Sequence, residues 1–496
     1  MTILAIDAGT TGVTAQLIAA DSSSLGKGYS EFEQHFPQPG WVEHQPEQIW
    51  QATLTAVRGA LASAGLTSKD VTAIGITNQR ETVVLWNRET LEAPTNAIVW
   101  QDRRTADLLS DAKFDAARQT VREVTGLPLD PYFSSSKLLW IKRNLPSVWA
   151  AVEAGKTAIG TVDSYLVARI SGGNAHITDA SNASRTQLFN LETLRWDARL
   201  LELFEVPESA LPTITSCYGH LADADPAAFE GISAPITGMA GDQQAALFGQ
   251  LAFSAGEAKC TYGTGAFLLR NTGSEIVATD PQLISTVAWV DPAGKPTYAL
   301  EGAVFVAGAA IQWLRDGLQM IESAKDLEPL ALTVPDNGGV YFVPALAGLG
   351  SPFWDPNVRG SFFGITRGTT KAHFARATFE ALAFQVRALV DAMNAAVGDT
   401  IVELKTDGGV VNSNLMLQIQ ANVLGKTVSK PANLDTTGLG AAFLAGLGAG
   451  VWASTDDLAQ VAGARVEPNG SSVAPYSRLP VASTRPPRVL ARVWNP

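Results

Sequence analysis

Near the midpoint of this 496-residue chain, one carboxylate stands inside the run Gly238-Met239-Ala240-Gly241-Asp242-Gln243-Gln244-Ala245-Ala246-Leu247-Phe248-Gly249. Ala234 to Met239 reads as a short apolar strand and Ala245 to Phe248 as the start of a helix, so Asp242 falls where a strand ends and a helix begins. An Asp there is either an ordinary N-cap, or a general base or metal contact at the carboxyl end of a strand, where open α/β sheets bind ligands. Asp7 ends the apolar run Ile3-Leu4-Ala5-Ile6 beside the turn Gly9-Thr10-Thr11-Gly12. Its carboxylate, with the turn's amides and hydroxyls, could hold a hydrated magnesium ion and a triphosphate together; the alternative is a plain Asx turn. Arg80 and Glu81 are adjacent and opposite in charge, a donor and acceptor pair suited to neighbouring hydroxyls, or else a solvated ion pair. Trp100 and Phe267 could wall a small carbon skeleton, or belong to the core.

These side chains need strand ends to hold them. Ile3 to Ile18 reads as strand, turn and strand, a β-hairpin, and the design recurs where Glu257 to Thr261 leads through Tyr262-Gly263-Thr264-Gly265 into Ala266-Phe267-Leu268-Leu269. Two Gly-Thr hairpins in corresponding halves suggest an internal duplication, the alternative being chance, since short Gly-Thr turns are frequent. Pro46 opens a helix with Ile49, Trp50, Leu54, Val57 and Leu61 on one face. Thr72 to Thr77 is a buried strand delivering Asn78-Gln79-Arg80-Glu81, and Ala97 to Trp100 delivers Gln101-Asp102-Arg103-Arg104. Later come a helix from Lys371 to Val397, a strand from Ile401 to Thr406, and an Asp407-Gly408-Gly409 turn that opens a helix from Leu415 and could cradle phosphate or nucleotide on its amides. The tail from about Val466, with Pro468, Pro475, Pro480, Pro486 and Pro487, reads as irregular surface chain.

Composition narrows the function class. Lys+Arg 36 against Asp+Glu 48 gives a net charge of -12, which argues against broad contact with nucleic acid or anionic lipid. Cys217 and Cys260 are the only cysteines and the five His are scattered, so neither a disulfide framework nor a metal cluster is expected. The N-terminus has no basic region or cleavage site, and the longest apolar stretch, Leu439 to Ala453, is too short to span a bilayer, so a cytoplasmic protein is expected.

Several ordered strings go further. Asp7-Ala8-Gly9-Thr10-Thr11, Ile76-Thr77-Asn78-Gln79-Arg80-Glu81-Thr82, Asn96 to Arg104, Leu127 to Ser134 with Lys137 and Trp140, Gly160-Thr161-Val162-Asp163 and Asn182-Ala183-Ser184-Arg185-Thr186 closely resemble the FGGY carbohydrate kinases, in the branch that acts on glycerol. So do Gly241 to Gly249, Thr261 to Gly265, Glu301-Gly302-Ala303-Val304-Phe305, and Phe353-Trp354-Asp355-Pro356 with Arg359-Gly360. The resemblance covers about residues 3 to 452. It implies a duplicated actin-like (ribonuclease H-like) ATPase fold of α/β class, two domains around a central cleft, with residues 1–249 binding glycerol and residues 250–496 binding nucleotide. It implies that Arg80, Glu81, Tyr132, Asp242 and Gln243 bind glycerol hydroxyls while Trp100 and Phe267 pack on its carbons. Thr10, Thr11, Gly12, Thr264, Gly308, Gln312 and Gly409 would line the ATP site, with Ser413 beside it, and Asp7 and Asp242 would face Mg2+. Asp242 is then the expected catalytic base, and a homodimer or homotetramer the expected assembly.

The chain also departs from the family. Thr14 stands where relatives often carry Arg, and Ser413 where an Asn is common near the nucleotide. Ala224 to Gly231 is acidic and apolar where regulated relatives bind fructose 1,6-bisphosphate on a basic loop, so no inhibition by that sugar is expected; the activating loop His of other relatives has no counterpart between Ala222 and Ile236. Two rivals to ATP-dependent glycerol phosphorylation are a kinase for another small polyol or ketose of the same family, and a non-catalytic actin-like nucleotide switch. The switch would need the hairpins but not an Arg-Glu-Tyr-Asp polyol pocket.

Overall fold

The computed structural model describes residues 1–278, 283–355, 357–466 and 471–473. Two mixed sheets dominate it. The first contains β1 (Thr2–Ala8), β2 (Gly12–Ala19), β3 (Ser24–Glu31), β4 (Val71–Asn78), β5 (Tyr218–Asp223) and β6 (Pro235–Gly241), in the order β5-β6-β4-β1-β2-β3. The second contains β7 (Ala258–Tyr262), β8 (Ala266–Gly273), β9 (Ile284–Val290), β10 (Pro296–Val304), β11 (Glu403–Asp407), β12 (Thr427–Lys430) and β13 (Ser471–Val473), in the order β9-β10-β8-β7-β11-β12-β13.

The two sheets share one plan. In each, an antiparallel hairpin leads (β1 with β2, β7 with β8), a third strand extends it (β3 or β10), and two parallel strands follow on the other side (β4 and β6, or β11 and β12). The paired Gly-Thr hairpins are therefore the visible trace of a duplication, and β9 is an addition of the second copy. The tail departs from its reading as irregular chain at Ser471–Val473, which pairs antiparallel with β12. An edge strand has unpaired backbone donors and acceptors, and this short segment satisfies part of them. The five prolines named in the tail lie outside the described residues, as does Pro356.

Helices flank each sheet. α1 (Pro46–Ala64) starts on Pro46, ends on Gly65 in the left-handed region, and buries Ile49, Trp50, Val57 and Leu61 against β2 and β3. α2 (Ser134–Asn144) follows the Tyr132 loop. α3 (Asp242–Gly249) leaves β6, α4 (Gly308–Asp316) follows β10, and α5 (Lys371–Val397) has its expected bounds, with a Thr370 capping box and Gly398 beyond its end. Asp407-Gly408-Gly409 opens a short 3-10 turn, Gly409–Asn412, before α6 (Asn414–Leu424), because Ser413 takes the cap by accepting from the Met416 amide. α7 (Thr436–Gly448) follows β12 as α3 follows β6.

α3 and α7 are exchanged between the halves. α7 packs on β1, β4 and β6 of the first sheet, α3 reaches β7, β8 and β9 of the second, and the two helices lie against each other. Their approach is backbone to backbone, since a Cβ on Gly440 would stand 1.8 Å from the Ala245 carbonyl oxygen and one on Gly249 2.0 Å from that of Thr436. Asp407 ties both to β11, accepting from Gln250 just past α3 at 2.9 Å and from Thr436 of α7 at 2.5 Å. In the segment Ala224 to Gly231, Phe229 is buried against Trp50 of α1. No helix among the described residues is long and apolar enough to cross a membrane.

Candidate active site

Asp242 is not the N-cap of α3. Gly241 takes that place in extended conformation, and a Cβ on it would meet the Arg80 side chain at 2.7 Å. Asp242 is thus the first helical residue, its Oδ1 accepting from the Gln243 amide at 2.7 Å and lying 3.0 Å from Arg80 Nε. Its side chain keeps 29% exposure while Arg80 has only 3%. A carboxylate is held in place by a buried guanidinium yet stays partly exposed.

Arg80 and Glu81 are not a solvated pair. Both are buried and 4.0 Å apart, and each has a better partner elsewhere. Arg80 donates to Glu301 at 2.5 and 3.2 Å and to Gln244 at 3.2 Å; Arg185 donates to Glu81 at 2.7 Å and to Glu301 at 2.9 Å. Two cations and two anions therefore neutralise each other out of water, which buried charge requires. Burial acts to raise the Glu301 pKa, but Arg185 and Arg80 outweigh it and hold the carboxyl down at about 2. For Glu81 burial prevails over the same guanidiniums and the pKa is raised. Glu81 itself has φ of 62°, a strained value for a non-glycine residue that this network maintains.

Three aromatic rings gather alongside. Trp100 meets Tyr132 edge-on at 5.5 Å and Phe267 at 6.4 Å, and its Nε1 donates to Thr10 Oγ1 at 3.1 Å. Burial first, then the charge of Glu81, pushes the Tyr132 hydroxyl well above its ordinary pKa, so it remains a donor. Lys137 of α2 holds the Tyr132 loop by donating to the carbonyls of Pro131, Tyr132 and Phe133 at 2.6, 3.0 and 3.1 Å; burial lowers its pKa to about 7. Gln243 is buried and accepts from Lys259 Nζ at 2.5 Å.

Asp7 is the penultimate residue of β1, half-buried. Burial first, then repulsion from Asp242 and Asp435, raises its pKa to about 7, with Lys27 opposing. Carboxylates that repel one another in this way suit a dication. No cluster of three or more His, Cys, Asp or Glu able to hold a metal occurs among the described residues. Two carboxylates alone fit an ion such as Mg2+, which keeps several waters and phosphate oxygens in its shell.

Thr264, Gly308, Gln312, Gly409 and Ser413 line one cavity of about 720 Å³ between β7, α4, α5 and the turn before α6. Thr10, Thr11 and Gly12 are apart from its lining, at the tip of the first hairpin. Arg185, Glu301, Gln244, Lys259 and Lys137 are site residues that the reading by type and spacing did not single out. A signal existed for Glu301, a lone carboxylate inside the apolar strand Pro296–Val304, since such a charge is buried only when paired.

The comparisons with known proteins agree with this geometry. The model of the N-terminal domain of the FGGY family of carbohydrate kinases matches residues 2–249 and that of its C-terminal domain residues 258–449. A glycerol kinase of Myxococcus xanthus is 51% identical over 460 residues, 92% of each chain, and a glycerol kinase 2 of Sulfolobus acidocaldarius is 49% identical over 461 residues, 92% of this chain and 91% of that one. Among solved structures, Plasmodium falciparum glycerol kinase with ADP is similar with a TM-score of 0.87 and 33% identity, covering 96% of this chain and 94% of that chain. With both domain models matched in order, two actin-like halves and relatives similar over nine-tenths of its length, the chain belongs to the FGGY family of carbohydrate kinases.

Proposed function

We propose that this enzyme transfers the γ-phosphoryl group of ATP to a primary hydroxyl of glycerol, giving sn-glycerol 3-phosphate and ADP. The observation that carries the reading is the Arg80 clasp. One guanidinium binds Asp242 at the cleft and Glu301 behind it, beside the Trp100, Tyr132 and Phe267 rings. That is a site with donors and acceptors for adjacent hydroxyls and apolar faces for a short carbon skeleton. The glycerol kinase relatives at about half identity support the same acceptor.

In this reading Arg80, Glu81, Tyr132, Asp242 and Gln243 orient the polyol. Asp242 accepts the hydroxyl proton as its oxygen attacks the γ-phosphorus and the bond to the β–γ bridging oxygen breaks. Arg80 keeps the carboxylate aimed. The cavity bearing Thr264, Gly308, Gln312, Gly409 and Ser413 takes the nucleotide, with Thr10, Thr11 and Gly12 facing its phosphates. Asp7 and Asp242 would hold Mg2+, which supplies charge neutralisation on the phosphate oxygens. Exclusion of water by closure of the two halves favours transfer over hydrolysis. We take the enzyme to work in the cytoplasm as a homodimer or homotetramer, as its family resemblance implies.

The test is ADP release by the wild type and by Asp242→Asn with glycerol, dihydroxyacetone, erythritol, ribitol, xylulose or no acceptor. Glycerol-dependent release that falls by roughly 10²-fold or more in the variant is expected. Preference for a longer polyol would overturn the acceptor, and acceptor-free release unchanged in Asp242→Asn would favour a nucleotide switch.

A further inference from the structure

The hairpins of the two halves bear their phosphate-facing turns on carbonyls that are tied down by different means. In the second half, the Ala307 and Ala309 amides donate to the Thr264 carbonyl at 2.8 and 3.0 Å, and the Gly308 amide to that of Gly263 at 2.9 Å. Backbone at the start of α4 does the holding. By hairpin register, Ala8 opposite Val13 and Tyr262 opposite Ala266, the corresponding carbonyls of the first half are those of Gly9 and Thr10. There no helix arrives. Instead Gln79 Nε2 donates to the Gly9 carbonyl at 3.0 Å and Gln34 Nε2 to the Thr10 carbonyl at 2.7 Å.

A glutamine amide can turn over, exchanging its donor for an acceptor, so two glutamines restrain a turn only if something sets their orientation. One ring lies between them. His44, fully buried, has Nε2 at 2.8 Å from Gln34 Oε1 and Nδ1 at 3.3 Å from Gln79 Nε2. Only one proton arrangement satisfies all four contacts: Nε2–H donates to Gln34 Oε1, and Nδ1 accepts the second Gln79 hydrogen. Burial first, then His35, lowers the His44 pKa to about 4, which keeps the ring in this neutral form. Gln79 Oε1 accepts from Thr82 Oγ1 at 2.9 Å, and Thr82 Oγ1 accepts from the Trp100 amide at 3.2 Å; Trp100 Nε1 then reaches Thr10 Oγ1. The circuit joins the aromatic wall to the phosphate hairpin. His44 is delivered by the two-residue strand Glu43–His44, paired with Ala97–Ile98, and its ring is packed edge-on by Phe32 at 5.0 Å.

We infer that His44 is a positioning residue for phosphate binding: by locking Gln34 and Gln79 it holds the Gly9 and Thr10 carbonyls back and leaves the Thr10 and Thr11 amides and hydroxyls presented to a nucleoside triphosphate. The inference rests on the first hairpin facing the phosphates in the proposed reaction. It does not depend on glycerol as acceptor.

The experiment is calorimetric binding of Mg·AMP-PNP to the wild type, His44→Phe and His44→Asn, with folding followed by thermal melting and glycerol KM measured alongside. His44→Phe keeps a ring against Phe32 but loses both hydrogen bonds; nucleotide affinity should fall by about tenfold or more while glycerol KM stays within about twofold. His44→Asn, which can still accept from Gln79, should recover part of the loss. A folded His44→Phe that binds Mg·AMP-PNP within about twofold of the wild type overturns the inference. If His44→Phe does not fold, Gln34→Met at the half-buried end of the circuit decides by the same criterion. Wild type that binds the nucleotide but does not phosphorylate glycerol would sink the proposed acceptor and leave this inference standing; retained affinity in an otherwise active variant would do the reverse.

Discussion

At the scale of single residues, charge burial organises the site. Arg80, Arg185, Glu81 and Glu301 are each no more than 3% exposed, and their charges cancel in pairs. Glu301 is the member on which both guanidiniums converge. Glu301→Gln should therefore leave the two buried cations with Glu81 and the part-exposed Asp242 as their only carboxylate partners and destabilise the fold by about 3–5 kcal/mol, with a raised glycerol KM as Arg80 loses its rear support. Chemical denaturation and steady-state kinetics check both; a change below about 1 kcal/mol would mean that the network tolerates a net charge through water that the distances do not suggest. Arg80 and Glu81 could be picked out as neighbours in the chain, but not as partners of residues far away. Adjacent side chains after a strand end point apart, and only folding brings Arg185 and Glu301 to meet them.

At the scale of elements, α3 and α7 decide how the halves meet. Small residues at their crossing let backbones touch, so Gly440 has no room for a side chain. Gly440→Ala should lower stability by about 1–3 kcal/mol or more, since its Cβ collides with a carbonyl oxygen that belongs to the other helix and cannot rotate aside. The urea midpoint measures this, and an unchanged midpoint would show that the helices slide apart freely. In the structure Gly65, Thr370 and Gly398 mark ends through local capping chemistry; the start of α1 at Pro46 and the bounds of α5 were legible beforehand. The exchange of α3 and α7 between sheets was not, because helix periodicity identifies an apolar face without naming the sheet that covers it. The 3-10 turn before α6 was missed for a similar reason, as Ser413 competes with the Gly-Gly turn for the cap.

At the scale of the whole molecule, buried carboxyls set a pH dependence. Asp163 is raised to about 7 by burial and then by Asp179, and Glu380 to about 7 by burial against the partial offset of Arg376. Both folded-state values lie above the unfolded ones, so between about pH 4 and 7 the folded chain binds more protons than the unfolded chain. Their stabilising contribution is complete below the unfolded pKa and is lost as pH rises through about 7. Thr161 and Thr178 donate to different oxygens of Asp163, so Asp163→Asn keeps an acceptor for one hydroxyl and turns its NH2 to the other, which can accept; it should show a smaller fall in unfolding midpoint between about pH 5 and about pH 8 than the wild type. Equal falls in both proteins would assign the dependence to other groups.

The amino-acid sequence by itself determined several of the strands, the start of α1 and the bounds of α5, the two Gly-Thr hairpins and, through ordered motifs, the family and most of the residues around Asp242. These follow from short-range physics: side-chain period, capping, turn chemistry and strings of neighbours. The tertiary structure alone decided which charges pair. Arg80 finds Glu301 across 221 positions and Arg185 finds Glu81 across 104. It also decided that Gly241 rather than Asp242 caps α3, and that a histidine stands in the first half where a helix start stands in the second. Each of these outcomes depends on a desolvated polar group finding a distant partner, and that partner is chosen by how the sheets and helices pack, not by anything within a turn or two of the residue itself.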